Sequence, residues 1–91
     1  MVPFTVSATD ESVTLDTQGR YIVGYFIENK SSSNSLTVDL EVSIDGEDFH
    51  EFDTIEVSAD SEEIEIETLP WRYVKLNVPS GSDCYVELTV K

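Results

Sequence analysis

A chain of 91 residues has room for one domain with a modest core, since a polypeptide of this size buries roughly 60 to 70% of its unfolded surface. Its 19 Asp and Glu against 5 Lys and Arg give a net charge of −14, which repels phosphate and anionic headgroups and so argues against nucleic-acid and membrane partners. The 40% hydrophobic content argues against disorder, and the one cysteine, Cys84, closes no internal disulfide, so burial must hold the fold.

The opening MVPFTVSATDE lacks the basic start and apolar run of a leader, and no later window approaches a membrane span, so residues 1–91 are expected to be a single soluble, unprocessed domain. Phe4 to Ser7 is a short strand, with Pro3 suited to an edge or first position because it has no amide donor. Val13 to Asp16 is another, closed by a turn at Gly19. Tyr21 to Ile27 (YIVGYFI) is apolar on both faces. Such a strand is either covered on both sides or contacts another subunit. Lys30 to Ser35 is a polar loop.

The longest pattern is Leu36 to Ile44, where Leu36, Val38, Leu40, Val42 and Ile44 alternate with Thr37, Asp39, Glu41 and Ser43. This is the period of a strand with one buried face. Asp45-Gly46 reverses the chain into Phe49 to Phe52. Thr54 to Val57 follows, and Ser58 to Ser61 breaks the pattern. Glu62 to Glu67 is expected to turn Ile64 and Ile66 inward and Glu63, Glu65 and Glu67 outward, a charged row that resists a further strand. Leu69-Pro70-Trp71 is a corner. Arg72 to Val78 and Tyr85 to Val90 are the last strands, separated by a reversal at Pro79 to Ser82. With no sustained helical period, the fold class is an all-β, antiparallel β-sandwich, jelly-roll or Ig-like, of about seven or eight short strands.

Few residues suggest chemistry. The only histidine, His50, reads as a surface residue and Cys84 as a buried thiol rather than a catalytic dyad. Asp45, Glu47 and Asp48 lack the spacing of a calcium loop and read as a solvated turn. No zinc spacing, phosphate loop or dinucleotide motif is present, so no catalytic residue, metal or cofactor is assigned. The aromatic residues point instead to contacts. Tyr21, Val23, Tyr25 and Ile27 share one face of their strand and are assigned to an interface, with Ile22 and Phe26 supplying the core from the other. Trp71 and Tyr73 flank the Pro70 corner and serve as interface anchors, a ligand platform or core packing. On this assignment Tyr25→Asp blocks assembly and leaves the monomer folded.

Three stretches, Leu40 to Phe49 (LEVSIDGEDF), Trp71 to Gly81 (WRYVKLNVPSG) and Tyr85 to Val90, together resemble small β-sandwich structural proteins of tailed viruses. In that family a hairpin with Asp-Gly and an aromatic residue precedes a Tyr-Val-Arg/Lys strand, a glycine turn and a closing strand. Phe49 stands where the family often has Trp, and Lys75 where it often has Arg. The resemblance implies a virion component, such as a head decoration, turret or tail-associated subunit, assembled in the host cytoplasm. It would bind other virion proteins and form homo-oligomers without chemistry of its own. Discoidin-like carbohydrate-binding modules share the hairpin and strand motifs and are the alternative, with Trp71 and Tyr73 stacking on sugar rings. Salt screens self-repulsion, shortening its range from roughly 10 Å at 0.1 M to roughly 3 Å at 1 M. The acidity and the scarcity of lysine therefore point to a saline host, such as a halophilic archaeon or its virus.

Overall fold

The computed structural model describes residues 4–20, 22–68 and 71–90. They form eight strands and no helix: β1 (Phe4–Thr9), β2 (Val13–Asp16), β3 (Ile22–Asn29), β4 (Leu36–Ser43), β5 (His50–Val57), β6 (Ser61–Thr68), β7 (Tyr73–Asn77) and β8 (Cys84–Val90). The sheets have the orders β1-β8-β3-β6 and β2-β7-β4-β5, every pair antiparallel. The hairpin β4–β5 is the innermost of four nested pairs, followed outward by β3–β6, β2–β7 and β1–β8, which alternate between the sheets. This is a jelly roll, one of the two architectures the sequence left open.

The alternation read from the sequence accounts for the core. Leu36, Val38, Leu40 and Val42 of β4 point inward, as do Val74 and Leu76 of β7 and Val86, Leu88 and Val90 of β8. Leu15, Val23, Ile27 and Val57 complete the layer between the sheets. Most polar residues between these positions stay outside, so one aliphatic layer supplies the hydrophobic stabilisation of both sheets.

At the β4–β5 turn, Gly46 takes φ +83°, and a Cβ there would lie 3.1 Å from the Tyr73 ring. Conformation and space both require glycine. Asp45 Oδ1 holds the turn by accepting from Ser43 Oγ (3.0 Å) and the amides of Glu47 (2.9 Å) and Asp48 (3.0 Å). At the opposite end of the sandwich, Asn29 Nδ2 donates to the carbonyls of Asn34 (2.8 Å), Val57 (3.1 Å) and Ser58 (3.2 Å), tying two loops to β3.

Several expected orientations are reversed. In β3, Val23, Tyr25 and Ile27 are buried between the sheets, whereas Ile22 is exposed and Phe26 half-buried. A strand apolar on both faces carries no period-2 signal to choose its own inward side. Its hydrogen-bonded neighbour chooses: Val23, Tyr25 and Ile27 stand opposite Val90, Leu88 and Val86 of β8, whose inward face is unambiguous. The same rule turns β6, where Ile64 and Ile66 face outward opposite Phe26 and Gly24, while Glu63, Glu65 and Glu67 take the inward side. The sandwich is open along this margin. Only Ile55 and Val57 of β5 are buried, and Glu63 and Glu65 remain exposed.

Ile44, expected to be the last inward residue of its strand, falls beyond the end of β4 and is exposed. The two runs expected at Phe49–Phe52 and Thr54–Val57 are one strand, β5, with Leu40 opposite Asp53 and Glu41 opposite Glu51, so that Phe52 is the extra residue of a bulge. Tyr21 and the Leu69-Pro70 part of the corner lie outside the described residues.

Two substitutions test this core. Leu88→Ala, in a central strand, is expected to cost about 2 to 5 kcal/mol in chemical denaturation. Tyr25→Asp is expected to melt far below the wild type by circular dichroism, because it buries a carboxylate beside other carboxylates. Wild-type melting of that variant would place the Tyr25 ring outside the core.

Candidate functional site

The outward face of the β3–β6 pair is the largest departure from ordinary surface chemistry. Ile22, Ile64 and Ile66 are 46%, 66% and 61% exposed and lie on neighbouring strands with Phe26. Gly24 sits between them opposite Ile66, and its missing side chain leaves an open hollow of about 310 Å³ walled by Phe26, Ile64, Ile66, Glu87 and Thr89. A Cβ on Gly24 would lie 3.7 Å from the Glu65 carbonyl and 3.9 Å from Ile66, ordinary contact distances, so the fold tolerates a side chain here. Tyr85 supports Phe26 from β8, with ring centroids 6.1 Å apart, and its hydroxyl donates to Glu87 (2.8 Å).

The other sheet presents a different outward face. Arg72 pairs with Asp16 (3.0 Å), Asn77 donates to Glu41 (2.9 Å), Thr54 donates to Asp39 and Glu51, and Lys75 lies over the Phe49 ring at 5.4 Å. Polar groups there satisfy one another.

Among the residues assigned from the sequence to an interface, Val23, Tyr25 and Ile27 are core, and Tyr21 is outside the described residues. Trp71 is half-buried against the core. The hydroxyl and amide of Thr17 hold its segment, with Thr17 Oγ1 donating to the carbonyls of Trp71 (3.0 Å) and Arg72 (2.9 Å). Trp71 also lines a hollow of about 280 Å³ with Ile44, Asp45, Asp48 and His50. Tyr73 does not join it in a platform, because its ring is covered by Gly46 on one side and approached by the Arg72 guanidinium at 5.4 Å.

His50 and Cys84 are not brought together. His50 begins β5 opposite Val42, while Cys84 is level with Asn29, whose amide reaches Val57 at the far end of β5. Seven residues of strand, roughly 20 Å, separate those levels. Cys84 is fully buried, and burial raises its pKa. Among the described residues no group of three His, Cys, Asp or Glu side chains is placed to hold a metal ion, and no helix is long and apolar enough to cross a membrane.

What sequence reasoning missed is Ile22, Phe26, Ile64 and Ile66 as one outward patch. The signal was present in the pairing. Once β8 fixes the parity of β3, β6 must present its isoleucines on the face that carries Phe26.

The open margin concentrates negative charge. Burial, followed by the fields of Glu67, Glu65, Asp53 and Glu63, pushes the Tyr25 phenol up to about 12. Glu67 is raised by its own partial burial and then by Asp53 and Glu65. Like charges also stand directly opposite across strands, Glu28 with Glu62 and Glu41 with Glu51. Asp45 goes the other way, held at about 2 by the Asp48 and Glu47 amides and the Ser43 hydroxyl.

No family model and no curated protein sequence matches the chain. Solved structures do. The SPBc2 prophage-derived protein YomS superposes with a TM-score of 0.63 at 14% identity, covering 99% of this chain and 95% of that one. PirA gives 0.57 at 11%, with 99% and 92% covered, and a protein of the Bacillus endospore appendages, described as disulfide-linked pili, gives 0.54 at 11%, with 99% and 83% covered. Likeness at these identities establishes the architecture.

Two measurements follow from the charges. Glu67 has a folded pKa above the 4.5 of an ordinary glutamate, so its ionised form weakens the fold and protonation relieves that weakness as pH falls through its raised value. Asp45, with its folded pKa depressed, contributes stability that is complete above about 4 and is lost as pH falls towards about 2. Thermal melts should therefore peak near pH 4 to 5, roughly, and Glu67→Gln should raise the neutral-pH melting temperature while flattening the rise towards that peak. The opposed carboxylates further require the melting temperature to climb between about 0.1 and 3 M KCl. A flat or falling curve would show that these pairs are without consequence.

Proposed function

We propose that the chain is a non-enzymatic structural subunit of a virus particle, a head decoration, turret or tail-associated protein that works by contact with neighbouring proteins. The observation that carries this reading is the exposed apolar face of Ile22, Phe26, Ile64 and Ile66 around Gly24, built on strands and left uncovered in the isolated subunit. Association would desolvate this face, with Phe26 as the central aromatic anchor. Three further features support the reading: the Leu40–Phe49 and Trp71–Gly81 motifs, the prophage origin named for YomS, and the assembled appendage named for the endospore protein. Linkage by disulfides does not carry over, because Cys84 is buried. Location in the virion, with assembly in the host cytoplasm, belongs to the same reading. A saline host is its finest part and rests on composition alone.

A second reading, carbohydrate binding, draws on the hollow where Trp71 meets Asp45, Asp48 and His50. Glycan-array hits that disappear with Trp71→Ala would favour it.

The structural reading is tested on particles. Wild-type protein is expected in purified virions, whereas Ile64→Thr combined with Ile66→Thr, which removes the apolar groups without adding charge, should be lost from them while changing monomer stability by no more than about 0.5 kcal/mol per site, as is usual for exposed positions. Absence of the wild-type chain from purified particles would overturn the assignment.

A further inference from the structure

The chemistry of the partner can be read from the surroundings of the Gly24 hollow. The four strands of this sheet contain Glu28, Glu62, Glu63, Glu65, Glu67 and Glu87 but no lysine or arginine. Of these, Glu28, Glu62 and Glu87 stand on the outward face, Glu87 lining the hollow itself and Glu28 and Glu62 opposite each other along the same strand pair, whereas Glu63, Glu65 and Glu67 take the inward side. The described cations lie outside these strands. Arg72 and Lys75 belong to the other sheet, where they meet Asp16 and Phe49, and Arg20 and Lys30 flank β3. An apolar centre with an acidic rim is complementary to an apolar side chain ringed by positive charge, and like-charge juxtaposition selects against other occupants.

A second copy of the chain fits poorly. Face to face, two copies would bring the glutamates of one rim against those of the other. Docked on the opposite sheet, the rim would meet Asp39, Glu41, Glu51 and Glu56 together with two cations already engaged within their own subunit.

We propose that the hollow over Gly24 receives an apolar side chain of a different protein, flanked there by lysine or arginine. This rests on the structural reading above and names the partner's chemistry. The rim would steer and select that partner at moderate salt, and the hollow would fix its register.

Three peptides serve as probes in calorimetric titrations at about 0.15 M NaCl, near physiological ionic strength. One alternates lysine with leucine and valine, one alternates lysine with serine, and one alternates glutamate with leucine and valine. The first should bind at least about ten-fold more tightly than the others, and NMR amide shifts should centre on Gly24, Phe26, Ile64 and Ile66. Gly24→Val fills the hollow at a position where a Cβ meets only ordinary contacts. It should leave the melting temperature unchanged or higher and weaken that peptide by about ten-fold or more.

Equal binding of the lysine–serine peptide, shifts centred on the other sheet, or indifference to Gly24→Val would overturn the proposal. So would a wild-type dimer at this salt that Gly24→Val dissociates, since the occupant would then be a second copy. That last result would leave the structural role intact, whereas absence from particles would remove the virion assignment without touching the peptide result.

Discussion

Backbone hydrogen bonding between antiparallel strands forces residues that stand opposite each other onto the same side of the sheet, and this constraint shapes the whole molecule. Val86, Leu88 and Val90 have only one face they can bury. Their choice sets β3, and β3 in turn sets β6, where the glutamates end on the inward side and the isoleucines on the outward side. Taken alone, β6 would gain by turning over. Doing so would slip its register by one residue against a strand already committed to β8. The exposed apolar face is thus a product of pairing imposed on an edge strand, and the open margin lets the displaced glutamates keep their contact with water.

The two outward faces of the sandwich satisfy their polar groups differently. On the β2-β7-β4-β5 sheet, the few cations and amides are spent within the face, against Asp16, Phe49 and Glu41, leaving a hydrated surface with little left to offer. On the β1-β8-β3-β6 sheet Tyr85 donates to Glu87 and Thr5 meets Thr89, but no lysine or arginine stands within the described strands to offset Glu28, Glu62 and Glu87. Its charge is unbalanced and its centre is oily, which is the combination expected where a neighbour completes the surface.

The sequence reveals an element clearly where one side is apolar and the other polar. Leu36 to Ser43, Tyr73 to Asn77 and Cys84 to Val90 were legible for that reason, and so were the reversal around Gly46, though as a loop over 44–49 rather than a tight turn, and the all-β class. Orientation failed where that contrast was missing. Ile22 to Ile27 offers large apolar groups to both sides, and Ser61 to Thr68 alternates strongly but lies at a margin where facing inward does not bring burial. Ile44 and Phe52 were hidden for a different reason: a strand ending one residue early takes Ile44 off the ladder, a bulge shifts parity at Phe52, and neither leaves a compositional mark. The candidate face was consequently drawn on the wrong side of the right strand.

The outermost of the nested pairs places Phe4 opposite Val90, so the two extremities of the sheet lie side by side at one corner. A peptide joining Phe4 directly to Val90 would need to span only one strand spacing, roughly 5 Å, and new ends could be opened in the serine-rich connection between β3 and β4, at the pole of the sandwich that Asn29 ties together. A chain permuted in this way should keep all eight strands and carry a fused cargo at the Asn29 pole, away from Thr89 and the hollow it borders.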